Sequence, residues 1–179
     1  MDVSEAIRMK RAVREFAPQP LPEEVVDRIL WAGRRAQSSK NTQPWRFIAV
    51  RDPQSLKELA RLGTYAGHLA GAAMGIVIAT PDPAQRWSIL FDAGQAAAYM
   101  QLAAWEVGVG SCLATLYEPD AARELLAIPS DWQAHVAISF GFPADASRLT
   151  SAPARAGRRV LDETVYFERW LGERGGLPS

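Results

Sequence analysis

Trp87 to Gly108 reads WSILFDAGQAAAYMQLAAWEVG, and it decides the architecture. Its apolar residues recur on every face, which predicts a helix of about six turns at 1.5 Å rise per residue, surrounded by close neighbours. Six alanines within it allow those neighbours to approach. Asp92, Gln95, Gln101 and Glu106 interrupt the run, so it reads as a buried helix rather than a membrane span. Gly108 and Gly110 are stop signals. The next segment, SCLATLY, is a short apolar run suited to a buried strand.

Working outward, short strands and amphipathic helices alternate. PLPEEVVDRILWAGRRA predicts a helix with Pro22 in its first turn, acidic residues at its start and Arg34 and Arg35 at its end. Asp2 or Ser4 suits the cap of a first helix ending near Lys10. RFIAVRD, AAMGIVIAT and QAHVAISFGFP read as strands, DPQSLKELARL and EPDAARELLAI as helices, and 144–157 as loop. The expected fold is α+β: a sandwich around a central mixed four- or five-stranded sheet flanked by helices. No repeat or linker divides residues 1–179, so one domain is expected.

Composition removes several function classes. The chain has 20 basic and 20 acidic residues among 179, so bulk charge gives no footing for nucleic acid or a membrane surface. Cys112 is the single cysteine and His68 and His135 are the two histidines, so neither an internal disulfide nor a metal site of His and Cys is expected. MDVSEAIRMKRA lacks the apolar stretch of a signal peptide, and a cytoplasmic location is expected. Nucleophile elbows, Walker loops and GxGxxG fingerprints do not occur. Either the protein is not an enzyme or a cofactor carries its chemistry.

Three polar segments remain. KRAVREF places Lys10, Arg11 and Arg14 around Ala12; QSSKNTQPWRF places Ser38, Asn41 and Gln43 before a strand; ARAGRRVLDE brings Arg155, Arg158 and Arg159. Taken singly they read as a basic helix end, a turn-rich loop and a solvated charge run. Taken together they offer cations for a phosphate and amides for the edge of a heteroaromatic ring.

These segments, in this order, resemble the FMN-dependent nitroreductase family. That family opens on a basic-basic-Ser-x-basic signature, has a PSSxNxQPWxF loop, an Asp-led Ala-rich helix ending in GLGSC, a GxP strand end and a terminal Arg-rich segment before ERW. The counterparts here are KRAVREF, QSSKNTQPWRF, DAGQAAAYMQLAAWEVGVGSC, FGFP and RRVLDETVYFERW. The resemblance implies a cytoplasmic homodimeric flavoprotein with FMN at the subunit interface and no side chain required as acid, base or metal ligand. It implies an oxidoreductase that takes electrons from NADH or NADPH and passes them through flavin N5 to a nitroaromatic, quinone or related small molecule. Lys10, Arg11, Ala12 and Arg14 would bind the phosphate and the pyrimidine end of the ring, and Arg158 or Arg159 would complete the phosphate site. Ser38, Asn41 and Gln43 would reach the flavin from the opposite subunit. The backbone of Thr115 and Leu116 would lie beside N5, and residues 158–179 would form a C-terminal arm on the partner.

Ala12 stands where the family has serine, Lys10 where arginine is commoner and Gln37 where proline is usual. The segment that covers the cofactor is short here. A flavin-dependent dehydrogenase, an oxygen-using relative, a flavin-binding protein without catalysis and a basic interaction module are the alternatives. Cys112 and Trp45 read as packing residues, His135 as a strand residue, and His68, Tyr65, Trp87 and Tyr117 as candidates to line the substrate pocket.

Overall fold

A computed structural model describes residues 2–151 and 158–170. Its elements are α1 (Val3–Met9), α2 (Glu23–Arg34), β1 (Arg46–Val50), α3 (Pro53–Arg61), β2 (Met74–Pro81), α4 (Ser88–Glu106), β3 (Gly110–Thr115), α5 (Pro119–Leu125), β4 (Trp132–Gly141) and α6 (Ser147–Thr150). Local chemistry sets their ends. Asp2 caps α1 by accepting from the Glu5 N–H at 2.8 Å, and Asp52 caps α3 through the Ser55 N–H at 2.7 Å. Gly108, at φ 78°, closes α4: Val109 N–H bonds Ala104 O at 2.9 Å and Gly108 N–H bonds Trp105 O at 3.1 Å. The loop expected over 144–157 contains the single turn α6, and 152–157 lie outside the described residues.

The four strands are ordered β1-β2-β4-β3 and every adjacent pair is antiparallel. This corrects the expectation of a mixed sheet. Among the described residues the parallel component is the bridge between Ala12 and Ser111, where Val13 N–H donates to Ser111 O at 3.0 Å. The basic segment 10–14 thus lies along the outer edge of β3. It approaches closely because Gly110 has no side chain: a Cβ there would stand 2.6 Å from Val13 Cβ.

Both faces of the sheet are covered. Ile76, Ile78, Ile138 and Phe140 pack under α2 and α4 with Ile29 and Met100. Val77, Ala114 and Ala137 pack on the other face with Leu56, Leu59 and Leu69. Coverage on both sides explains why β2 reads as an unbroken apolar run. Each fully buried Ile, Leu or Phe contributes about 1.5–3 kcal/mol of transfer free energy. α2 and α4 touch at Gly33, where a Cβ would meet Met100 Cγ at 2.7 Å, so the alanine-rich helix has the close neighbour its composition predicts.

Candidate functional site

Helix α4 borders two cavities that meet at Ala98 and Gln101. The first, about 400 Å³, is lined by Lys10, Arg11, Ala12 and Arg158 together with Ile7 and Leu102. The second, about 380 Å³, is apolar and lies between α4 and the sheet, with Ala97, Leu113, Val136 and His135 in its walls. Gln101 is buried and its Nε2 donates to Ser111 Oγ at 3.3 Å, which fixes the partition between the cavities to the start of β3.

The cations differ in what they have left to offer. Arg11 spends Nε on Arg148 O at 2.7 Å and a second N–H on Ser151 O, tying α6 to the edge segment. Lys10 and Arg158 face each other, and among the described residues neither has a carboxylate within salt-bridge distance. Burial holds the Lys10 ammonium below its ordinary pKa, Cys112 opposes that shift, and repulsion from Arg158 adds to it. Arg159 is exposed and lines neither cavity. Arg14 borders a separate polar cavity of about 340 Å³ with Glu15, Asp145 and Arg148. Arg155 falls outside the described residues.

The Ser38–Gln43 loop is not part of the basic cavity. Ser38 Oγ accepts the Gln43 N–H at 2.9 Å, and Gln43 Nε2 donates to Asn41 Oδ1 at 3.2 Å. Ser39 N–H is held by Asp92, in the first half of α4. Asp92 and Gln101 stand nine residues apart, about 13 Å along the helix. Within one chain, the amide loop and the basic cavity therefore occupy different parts of α4.

The two backbone positions at the end of β3 are not equivalent. Leu116 N–H is committed to His135 O at 2.9 Å. Antiparallel alternation then turns the Thr115 N–H away from β4, toward the open edge of the sheet. Leu113 is 49% exposed, an unusual state for an apolar residue in a sheet.

His68 lines neither cavity along α4. It is buried, with Nδ1 2.8 Å from Ser139 Oγ, and Ser139 Oγ donates to Cys112 O at 3.3 Å. Tyr65, Trp87 and Tyr117 are exposed and line neither cavity along α4, whereas Trp45 is buried and stacks on Phe47 as a packing residue. Cys112 is buried as expected, but the fold brings Arg14 and Lys10 beside it, which its sequence neighbours do not reveal. Burial pushes its thiol up despite both cations. Leu113 and Gln101 line the cavities and Asp92 holds the amide loop, and none of the three is among the candidates that the sequence offers. The signal available was polarity: Gln101 and Asp92 are amide and carboxylate within an apolar helix.

Residues 7–64 and 61–142 match the model of the nitroreductase family. The chain belongs to the nitroreductase family. A protein of Archaeoglobus fulgidus named "Putative NADH dehydrogenase/NAD(P)H nitroreductase" is 31% identical over 173 residues that cover 92% of this chain and 96% of the relative. A protein of Rhodobacter capsulatus named 5,6-dimethylbenzimidazole synthase is 30% identical over 79% of this chain and 83% of its own length. A solved structure from Clostridium difficile R20291, described as an FMN-dependent nitroreductase, superposes with TM-score 0.81 at 28% identity, over 92% of this chain and 98% of that one. Membership of this nitroreductase family makes the chain an oxidoreductase with the nitroreductase α+β fold.

Proposed function

We propose that the chain is an FMN-dependent NAD(P)H oxidoreductase acting on nitroaromatic, quinone or related small acceptors. The observation that carries this reading is the meeting of a basic and an apolar cavity along α4. Lys10 and Arg158, two mutually repelling cations without an acidic partner among the described residues, suit a phosphate. The apolar cavity beside them suits a planar ring, with Leu113 supporting one face. FMN, when bound, supplies an atom that accepts and donates hydride. Lys10 and Arg158 then anchor the phosphate, the outward Thr115 N–H orients toward the ring edge, and the apolar walls exclude water. No side chain need serve as acid or base, which agrees with the scarcity of histidine and cysteine.

The proposal includes a homodimer of single-domain chains in the cytoplasm, with the Ser38–Gln43 loop completing the partner's site. Its support is the distance along α4 between that loop and the basic cavity, together with the exposed apolar residues Leu90 and Phe91 on α4 and Val160, Phe167 and Trp170 on the arm from 158 onward. Tyr166 and Trp170 stack at 4.5 Å and present a broad aromatic face to a second copy. Residues 171–179 of the proposed arm lie outside the described residues.

The absorption spectrum of the purified protein tests the reading. A yellow protein bleached by NADH or NADPH without oxygen supports it, and a colourless protein that ignores added FMN ends it. A second reading, a different flavin chemistry in the same site, is favoured by the likeness to the Rhodobacter synthase. An aerobic product screen distinguishes the two.

A further inference from the structure

Asp92 is a carboxylate only 3% exposed inside an alanine-rich helix. Burying such a group is costly unless it is paired and hydrogen-bonded. Both its oxygens accept from the Ser39 N–H, at 3.1 and 3.2 Å, and Arg86 Nη2 lies 3.9 Å from Oδ2. The same Arg86 nitrogen donates to Thr42 Oγ1 at 2.8 Å, and that hydroxyl donates onward to Ser39 O at 3.0 Å. One ion pair therefore grips both ends of the turn from Ser39 to Thr42.

That turn is strained. Lys40, Asn41 and Gln43 have φ of 53°, 54° and 47°, the left-handed region that side chains other than glycine disfavour. Several such residues in one short loop persist only where the surroundings over-determine the backbone. Within the loop, the Ser38 Oγ bond to Gln43 N–H, the Gln43–Asn41 side-chain bond and the backbone bonds Asn41 N–H to Ser38 O at 2.9 Å and Thr42 N–H to Ser39 O at 3.1 Å add to the grip from Asp92 and Arg86.

We propose that Arg86 and Asp92 are positioning residues that hold the Ser38–Gln43 loop in its strained form, so that Ser38, Asn41 and Gln43 are presented ready to bind. What they present to rests on the FMN reading above; that they hold the loop does not. Neither residue lines the basic cavity, and both act through the loop. Helix α4 thereby serves two sites, holding the loop by its first half and bordering the chain's own cavities by Ala98 and Gln101.

Hydrogen exchange of the full chain without added flavin tests the grip. In Asp92→Asn, which keeps the shape and loses the charge, the amides of 39–43 should exchange about tenfold faster or more, as loss of a charge-assisted contact implies. The amides of β2 should keep their protection. Arg86→Ala, at a more exposed position, should do the same if the buried substitution prevents folding, and Arg86→Lys should restore much of the protection. Unchanged loop exchange in the variants, or acceleration spread equally over the core, overturns the proposal. FMN titration of the same proteins adds the ligand: affinity should fall about tenfold with the loop's protection. A wild-type chain that ignores FMN sinks the functional reading, while the exchange pattern still decides the positioning role.

Discussion

Gly63 packs its bare Cα against the carbonyl of Thr115, so closely that a Cβ on it would stand 2.1 Å from that oxygen. One residue earlier, Leu62 O accepts the Tyr117 N–H at 2.7 Å. The segment after α3 thus clamps the end of β3, at the amide proposed to face the flavin. Gly63→Ala must push this backbone aside, because no flexible side chain can yield. The expected result is a stability loss of about 1–3 kcal/mol by denaturant titration, with turnover falling further than folding alone accounts for. Wild-type turnover in a folded variant would show that the Thr115 amide is not needed.

Arg158 and Arg159 are neighbours with different surroundings, since only Arg158 lines the basic cavity. Arg158→Ala should weaken FMN binding by about 1–3 kcal/mol, roughly 5- to 150-fold, as a lost charge-assisted contact implies. Arg159→Ala should leave affinity within about twofold. Quenching of flavin fluorescence on titration measures both, and equal effects would count against the assignment.

His68 should make stability depend on pH. Its Nδ1 lies 2.8 Å from Ser139 Oγ, and Nε2 is buried with no hydrogen-bond partner among the described residues. Burial first, then the Arg14 charge, lower the pKa of this ring, with the Leu113 backbone opposing. The unfolded chain therefore binds this proton more readily. The contribution is complete above the unfolded value near 6.5 and is lost as pH falls through and below it. Denaturation midpoints at pH 8 and pH 5.5 should differ more in the wild type than in His68→Gln.

If the loop of one chain completes the site of another, cofactor retention must follow assembly. Diluting the protein should release FMN in step with dissociation, read by flavin fluorescence against sedimentation. Trp170→Asp, which puts a charge on an arm residue 83% exposed in the single chain, should shift both curves to higher concentration. A monomer that keeps its flavin tightly would refute the shared site.

Much of this molecule is legible in local pattern. The apolar surround of α4, the caps at Asp2 and Asp52, and the glycine closing α4 are written within a few residues of where they act. The local pattern predicts a mixed sheet where the structure has an antiparallel one, because strand direction depends on which strands become neighbours and periodicity carries no such information. His68 reads as a pocket candidate because it lies in the segment near the expected pocket, and only the fold sets it against Ser139.

The three polar segments were readable as a set, yet their division of labour was not. Sequence alone determined the helices, the strands, the central place of α4 and the supply of cations and amides, since propensity, capping and periodicity act over one or two turns. Tertiary structure alone decided that Arg11 is tied to α6, that Lys10 and Arg158 meet across one cavity, that Leu116 is spent on His135, and that Asp92 holds Ser39. Those outcomes depend on groups separated by tens of residues, whose distance is set by how helices and sheet pack and not by any local preference of the chain.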